Sequence, residues 1–246
     1  MTEFLSRYDR DRSAPRFLSA LRDAAVRAAL PAVVIWLAVV GFGFLLKGPL
    51  KGLSHAEEGV SKALERDRTP TWNSITFVWS HLGNTEIIIG VCFLVVAILW
   101  WRTREWWWSL VPALAIALQS IIFVTAAWVV QRPRPEVKHL DPAPPTSSYP
   151  SGHVSAATAL YLTFLMMALR IRRPYLRWPV IAVCVLVPLF VVYARLYRGM
   201  HHATDIGVGV VNGTLCSLLA WGYLRREPAP QSGREGVAAR GSLEAA

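Results

Sequence analysis

Pro150-Ser151-Gly152-His153 stands directly before an apolar run, Val154 to Leu169, so the tetrapeptide marks the start of a long helix. Ser151 is a good N-cap, because its hydroxyl can accept from a backbone N–H of the first turn. Gly152 removes side-chain bulk and lets an anion approach the free N–H groups at the positive end of the helix dipole. His153 then projects toward that anion. This is the layout of a phosphate site with an acid/base group at its edge. A Ser-Gly turn before a helix is more often a plain cap, so the neighbouring residues decide.

Two further stretches carry chemistry. Gln131-Arg132-Pro133-Arg134-Pro135 supplies two guanidiniums, and Arg195 to Asp205 supplies Arg195, Arg198, His201, His202 and Asp205. His201 and Asp205 are four apart before an apolar run, so on a helix they share a face. An Asp at that spacing can accept from one imidazole nitrogen, fix the tautomer and leave the other nitrogen as a nucleophile. A lone membrane-edge His or a lone Asp opening a helix is usually incidental. Their coincidence with arginines and a Ser-Gly-His points to phosphoryl chemistry.

The elements that must position these residues are membrane spans. The chain of 246 residues is 54% hydrophobic with 11 Trp. A membrane-spanning helix needs about 20 mostly apolar residues, and six blocks approach that length: Ala28–Leu46, Leu82–Trp101, Trp106–Val130, His153–Leu169, Trp178–Ala194 and Ile206–Leu224. The expected fold is an all-α integral membrane bundle of six transmembrane helices over 28–226. Segment 1–27 precedes it and a disordered tail, 227–246, follows. The net charge of +10 is distributed as topology rather than as a nucleic-acid patch. Arginines cluster at 7–27, at 102 and 104, at 170–177 and at 225–226, all on one side if the spans alternate. The positive-inside rule puts both termini in the cytoplasm and segments 47–81, 131–152 and 195–205 outside the plasma (inner) membrane. The polar, Arg-rich start followed by a full-length span argues against a cleavable leader. Cys92, Cys184 and Cys216 fall mid-span as packing residues.

Residues 1–27 permit an amphipathic helix on the inner surface or a frayed tail. A short surface helix is expected at Ala56–Arg66, and Trp72, Phe77, Trp79 and Trp106–Trp108 read as interfacial aromatics. His81 and Glu86 are placed at the membrane edge. Gln131–Gly152 is Pro-rich and cannot be helical through most of its length. A loop of that length with motifs at both ends reads as functional.

On these residues the chain resembles the type 2 phosphatidic acid phosphatase superfamily, integral membrane relatives of the vanadium haloperoxidases. The family has three motifs: Lys, six residues, Arg-Pro; Pro-Ser-Gly-His; and Ser-Arg, five residues, His, three residues, Asp. Pro150–His153 matches the second in full. Arg195, His201 and Asp205 match the third, with Ala194 in place of Ser. Arg134-Pro135 matches the end of the first, but Ala127 stands where the Lys belongs.

The resemblance implies that His201 attacks phosphorus to give a phosphohistidine, oriented by Asp205. His153 protonates the leaving group and later activates water. Arg134, Arg195, the Ser151 hydroxyl and the Gly152 N–H bind the phosphate oxygens, with no metal and no cofactor expected. The missing Lys leaves Arg132, Lys138 or Arg198 as replacements, Arg198 being preferred because it lies within the third motif. Failing a replacement, the site is slow or takes a substrate with fewer phosphate charges. The implied substrate is a membrane lipid phosphate held in the bilayer: a polyprenyl diphosphate, phosphatidylglycerophosphate or phosphatidic acid. A lipid-donor phosphotransferase and a non-catalytic lipid-phosphate binder are the alternatives.

Overall fold

The computed structural model describes residues 11, 13–143 and 147–225, and the expected disordered tail 227–246 lies outside the described residues. Among the described residues every regular element is helical. Helix α1 is Phe17–Lys47, α2 Lys51–Arg66, α3 Pro70–His81, α4 Thr85–Thr103, α5 Val111–Val130, α6 Gly152–Ala168, α7 Pro174–Tyr197 and α8 Ala203–Gly222. Five of them, α1, α4, α5, α7 and α8, are long and apolar enough to cross a membrane, and α6 is a shorter apolar helix of 17 residues.

The helix boundaries differ from the sequence reading for identifiable reasons. Residues 17–27 are not a separate surface segment; they continue α1 through a π-helical turn at Ala25–Ala29. The block Trp106–Val130 divides at Leu110 into one turn, Trp106–Ser109, and α5. Pro112 sits in the first turn of α5, where a missing N–H costs nothing, and could not sit mid-helix without breaking a hydrogen bond. Helix α7 starts early, at Pro174, and tolerates Pro179 and Pro188 inside it. The surface helix is α2, one turn longer at its start than expected.

Helices α6 and α8 form the centre of the bundle. Added Cβ atoms at Gly209 and Gly213 of α8 would lie 2.8 Å from the Ser151 carbonyl oxygen and 2.5 Å from that of Ser155. The two backbones therefore touch through glycine, the usual route to close packing where no hydrophobic effect drives helices together. Buried polar bonds reinforce the contact: Asn212 Nδ2 donates to Ser155 Oγ at 2.8 Å, and Ser217 Oγ to the Ala159 carbonyl at 2.8 Å. One apolar core joins α1, α5 and α8, and a second joins α4, α6 and α7. The outer faces stay apolar, with Val34, Leu37, Phe93, Leu94, Val183 and Leu189 exposed, as lipid-facing surfaces require.

At the end of the bundle away from the motif loops, Arg102, Arg170 and Arg177 lie over Trp101, Trp221 and Trp178 at 4.7, 4.3 and 5.4 Å. Trp107 and Trp108 are not belt residues; both are buried in the first core, with Trp107 Nε1 donating to the Asp11 carbonyl at 3.0 Å.

Gly213→Ala pushes a methyl group into rigid backbone, and overpacking of this kind costs roughly 1–3 kcal/mol. The thermal midpoint of the detergent-solubilised protein should fall by several degrees. Gly222→Ala, with nothing within 4 Å of the new Cβ, should leave it in place. Equal midpoints for the two variants would refute the glycine contact.

Candidate active site

The described parts of the Pro-rich loop between α5 and α6 are held by the loop's own ends and by three neighbouring elements. Gln131, in the left-handed region at φ 49°, ends α5. Arg132 N–H donates to Ser147 Oγ at 3.0 Å, and Ser148 N–H donates to the Arg132 carbonyl at 2.8 Å. Tyr149 is fully buried, and its hydroxyl donates to the Val39 carbonyl of α1 at 2.6 Å. Further along, Arg68 Nη1 donates to the Lys138 carbonyl at 2.7 Å, Lys138 N–H to Glu65 Oε1 at 2.8 Å, and Leu140 N–H to the Arg198 carbonyl at 3.1 Å.

The structure corrects the expected pairing of His201 with Asp205. Helix α8 begins at Ala203, so His201 lies before the helix and shares no helical face with Asp205. His202 is the N-cap, and Asp205 at N3 turns back to accept from the His202 N–H at 2.9 Å. Asp205 is also met by His202 Nδ1 at 3.2 Å, by Arg132 Nη1 at 2.5 Å and by the Ser148 hydroxyl. His201 Nδ1 instead meets the Ser148 carbonyl at 2.7 Å. A carbonyl only accepts, so Nδ1 carries the proton and Nε2 keeps its lone pair. Asp205 thus bears on the His201 ring through Ser148. Burial, then the charge of Arg195, holds the His201 imidazole well below the ordinary histidine range, against the pull of Asp205.

On the same cavity, His153 Nε2 lies 3.1 Å from Oδ1 of Asn84, at the start of α4. Gly83 permits this approach, since a Cβ there would lie 3.3 Å from that of His153. Ser151 occupies the N-cap position but makes no side-chain cap bond; its hydroxyl is buried without a partner among the described residues. Gly152 makes room for Phe123, whose ring an added Cβ would meet at 2.6 Å. The space expected for an anion beside its Cα is filled by that ring.

His81, Asn84, Arg134, Asp141, His153, Arg195 and His201 line one cavity of about 790 Å³, whose other wall is Ile88, Ile89, Ile116, Phe123 and Val124. His81 therefore belongs to the site and not merely to a membrane edge, whereas Glu86 is exposed outside it. Arg134 Nη1 donates to the Met200 carbonyl at 2.7 Å, and Arg195 Nη1 to Ser80 Oγ and Asp141 Oδ2, both at 2.9 Å. The Nε of each arginine is buried without a partner among the described residues.

None of the cations expected to replace the family lysine reaches this cavity. Arg198 binds Asp141 Oδ1 through Nε at 2.8 Å and the carbonyls of Asn73 and Leu140. Arg132 is consumed by Asp205 and Glu57, and Lys138 is exposed. Ala127 itself lines a neighbouring hollow with Trp128, Gln131 and Pro133. Asp141 is ionised: burial alone would raise its carboxyl, but the Arg198 hydrogen bond and the charges of Arg195 and Arg198 hold it below the ordinary carboxylate range.

The model of the PAP2 superfamily matches residues 106–228, half of the chain, and spans all three motif stretches. The chain belongs to the PAP2 superfamily. It is 25% identical over 171 residues to phosphatidylglycerophosphatase B of Bacillus subtilis (strain 168), covering 68% of this chain and 83% of that one. Its fold resembles the crystal structure of the transmembrane PAP2-type phosphatidylglycerolphosphate phosphatase from Bacillus subtilis. That match has a TM-score of 0.68 and 22% identity over 78% of this chain and 94% of the other. LpxE of Aquifex aeolicus matches with a TM-score of 0.52 and 21% identity, over 66% of this chain and 92% of the other. With helices long enough to span and a transmembrane relative of the same fold, this PAP2 protein is an integral membrane protein.

Four contributors were invisible in the PAP2 motifs. Ser148 acts through its carbonyl, Asn84 and Ser80 come from a distant turn and helix, and Asp141 is one acid in a Pro-rich stretch. The first was accessible only as the residue two before Pro150; the others carry no spacing signal.

Since the histidine constant is lowered, the neutral His201 ring should persist as pH falls through about 6.5, the unperturbed value. The ¹⁵N signal absent from His201→Gln should still report a neutral imidazole at pH 6. A titration midpoint at or above 6.5 would refute the assignment.

Proposed function

We propose that this PAP2 protein is a lipid phosphate phosphatase working through a phosphohistidine on His201. The observation that carries the reading is a pair of buried donors without partners among the described residues, Arg134 Nε and Arg195 Nε, on arginines that line one cavity with His153 and His201. Buried donors without partners are rare in folded proteins and call for an acceptor-rich ligand. Each arginine is held by Nη1, which leaves its Nε–Nη2 edge for two phosphate oxygens.

In this mechanism His201 Nε2 attacks phosphorus, forming the N–P bond while the P–O bond to the lipid breaks. His153 passes a proton to the departing alkoxide. It then takes one from water, whose oxygen attacks phosphorus, breaks the N–P bond and releases inorganic phosphate. Arg134 and Arg195 stabilise the equatorial oxygens throughout, the main demand of phosphoryl transfer.

Topology belongs to the same reading: six crossings, both termini cytoplasmic, and the cavity at the extracytoplasmic side of the plasma membrane. Parity supports counting α6 as a crossing. The Arg225 N–H donates to Asp11 Oδ2 at 2.9 Å, so the two ends of the described chain meet, which supports an even number of passes. The arginine clusters at that end support its cytoplasmic placement.

The test is phosphate release in EDTA from phosphatidylglycerophosphate, the substrate named for the Bacillus relative, and from polyprenyl diphosphate and phosphatidic acid. Turnover of at least one is expected, with His201→Ala lowering it by about 10³-fold or more. No release from any lipid phosphate, or full activity in His201→Ala, would sink the proposal.

A further inference from the structure

Asp141 is the one carboxylate lining the cavity among the described residues. An anion in a phosphate site repels the ligand, so its presence requires a reason. Its Oδ2 accepts from Arg195 Nη1 and Ser80 Oγ, both at 2.9 Å, and its Oδ1 accepts from Arg198 Nε at 2.8 Å. The segment carrying it is fixed by Arg68, Glu65 and the Arg198 backbone, so the carboxylate is part of the wall and not a mobile plug.

We propose that Asp141 is a positioning residue for the phosphate site: it holds Nη1 of Arg195 so that the Nε–Nη2 edge faces the ligand, and its charge limits how tightly phosphate is kept. The proposal rests on the phosphatase reading for its ligand but not for its test. Arg134 provides the internal comparison, because a neutral carbonyl, that of Met200, holds its Nη1 at 2.7 Å. Orientation alone is achieved there without an anion. At Arg195 the pin carries a full negative charge, shared with Arg198, which stands behind it and lines no part of the cavity. A site whose product is inorganic phosphate must let that product go, and a fixed anion beside one of two arginines weakens its grip.

The experiment measures inorganic phosphate binding to the purified full chain by calorimetry, with steady-state turnover alongside. Asp141→Asn keeps the shape and removes the charge. Its Kd for phosphate should fall by about tenfold, the scale of losing one charge within several ångströms of an anion in a partly screened site. Its kcat should fall by about tenfold or more while KM does not rise. Arg198→Gln leaves Asp141 less neutralised and carries the opposite sign, with phosphate bound about threefold or more weakly; this serves if Asp141→Asn does not fold. An unchanged or raised Kd in Asp141→Asn, an unchanged or lowered Kd in Arg198→Gln, or no phosphate binding by the wild type overturns the proposal. Phosphate binding with the expected shifts but no lipid turnover would count against the phosphatase reading alone.

Discussion

The fully buried carboxylate of Asp205 is the constraint around which the motif-bearing end of the bundle is arranged. A buried charge is tolerated only when its acceptor capacity is met, and here the Arg132 guanidinium, the Ser148 hydroxyl and the His202 N–H meet it together. These donors come from three places: the end of α5, the loop before α6 and the cap of α8. Satisfying one carboxylate therefore closes the loop onto the helix starts and fixes the Ser148 carbonyl against His201. Arg132 extends the network to Glu57 of α2 at 2.8 Å. Removing one member of such a buried pair typically costs about 3–5 kcal/mol, even where the intact pair adds little net stability. The network's contribution is geometric.

The remaining arginines follow the same logic at the cavity wall. Arg134 and Arg195 each spend Nη1 on the protein and keep Nε without a partner among the described residues. Preorganisation of this kind lets donors act on developing charge without reorganising. The cavity is lined by two guanidiniums, since Ala127 faces a neighbouring hollow and nothing else cationic among the described residues fills the place of the family lysine.

Much of this was legible in the amino-acid order. The apolar blocks located the long helices because hydrophobic length is dictated by the bilayer, and the motif residues His153, His201, Arg134 and Arg195 do converge on one cavity. What failed was local inference carried one step too far. The i, i+4 spacing of His201 and Asp205 suggested a shared face, but the helix starts between them, and a capping box claims the acid first. Gly152 does line the cavity, but the space beside its Cα belongs to Phe123, a residue 29 positions earlier that no local pattern could place. Arg198 lay inside the right motif and points to the wrong side of the loop. Ser80, Asn84 and Asp141 enter through tertiary contacts between segments whose own sequences say nothing about one another.

The two-sided character of the cavity has a consequence for traffic through it. Its loop-side wall is built from Arg134, Asp141, Pro142 and Ser147, and its bilayer-side wall from Ile88, Ile89, Ile116, Phe123 and Val124. On the proposed chemistry, the dephosphorylated lipid retreats along the oily wall while water arrives and free phosphate departs past the polar one. The Phe123 ring packs against Gly152 at the foot of α6, on the oily side. On that reading the spent lipid and the freed ion part company at opposite faces of a single chamber.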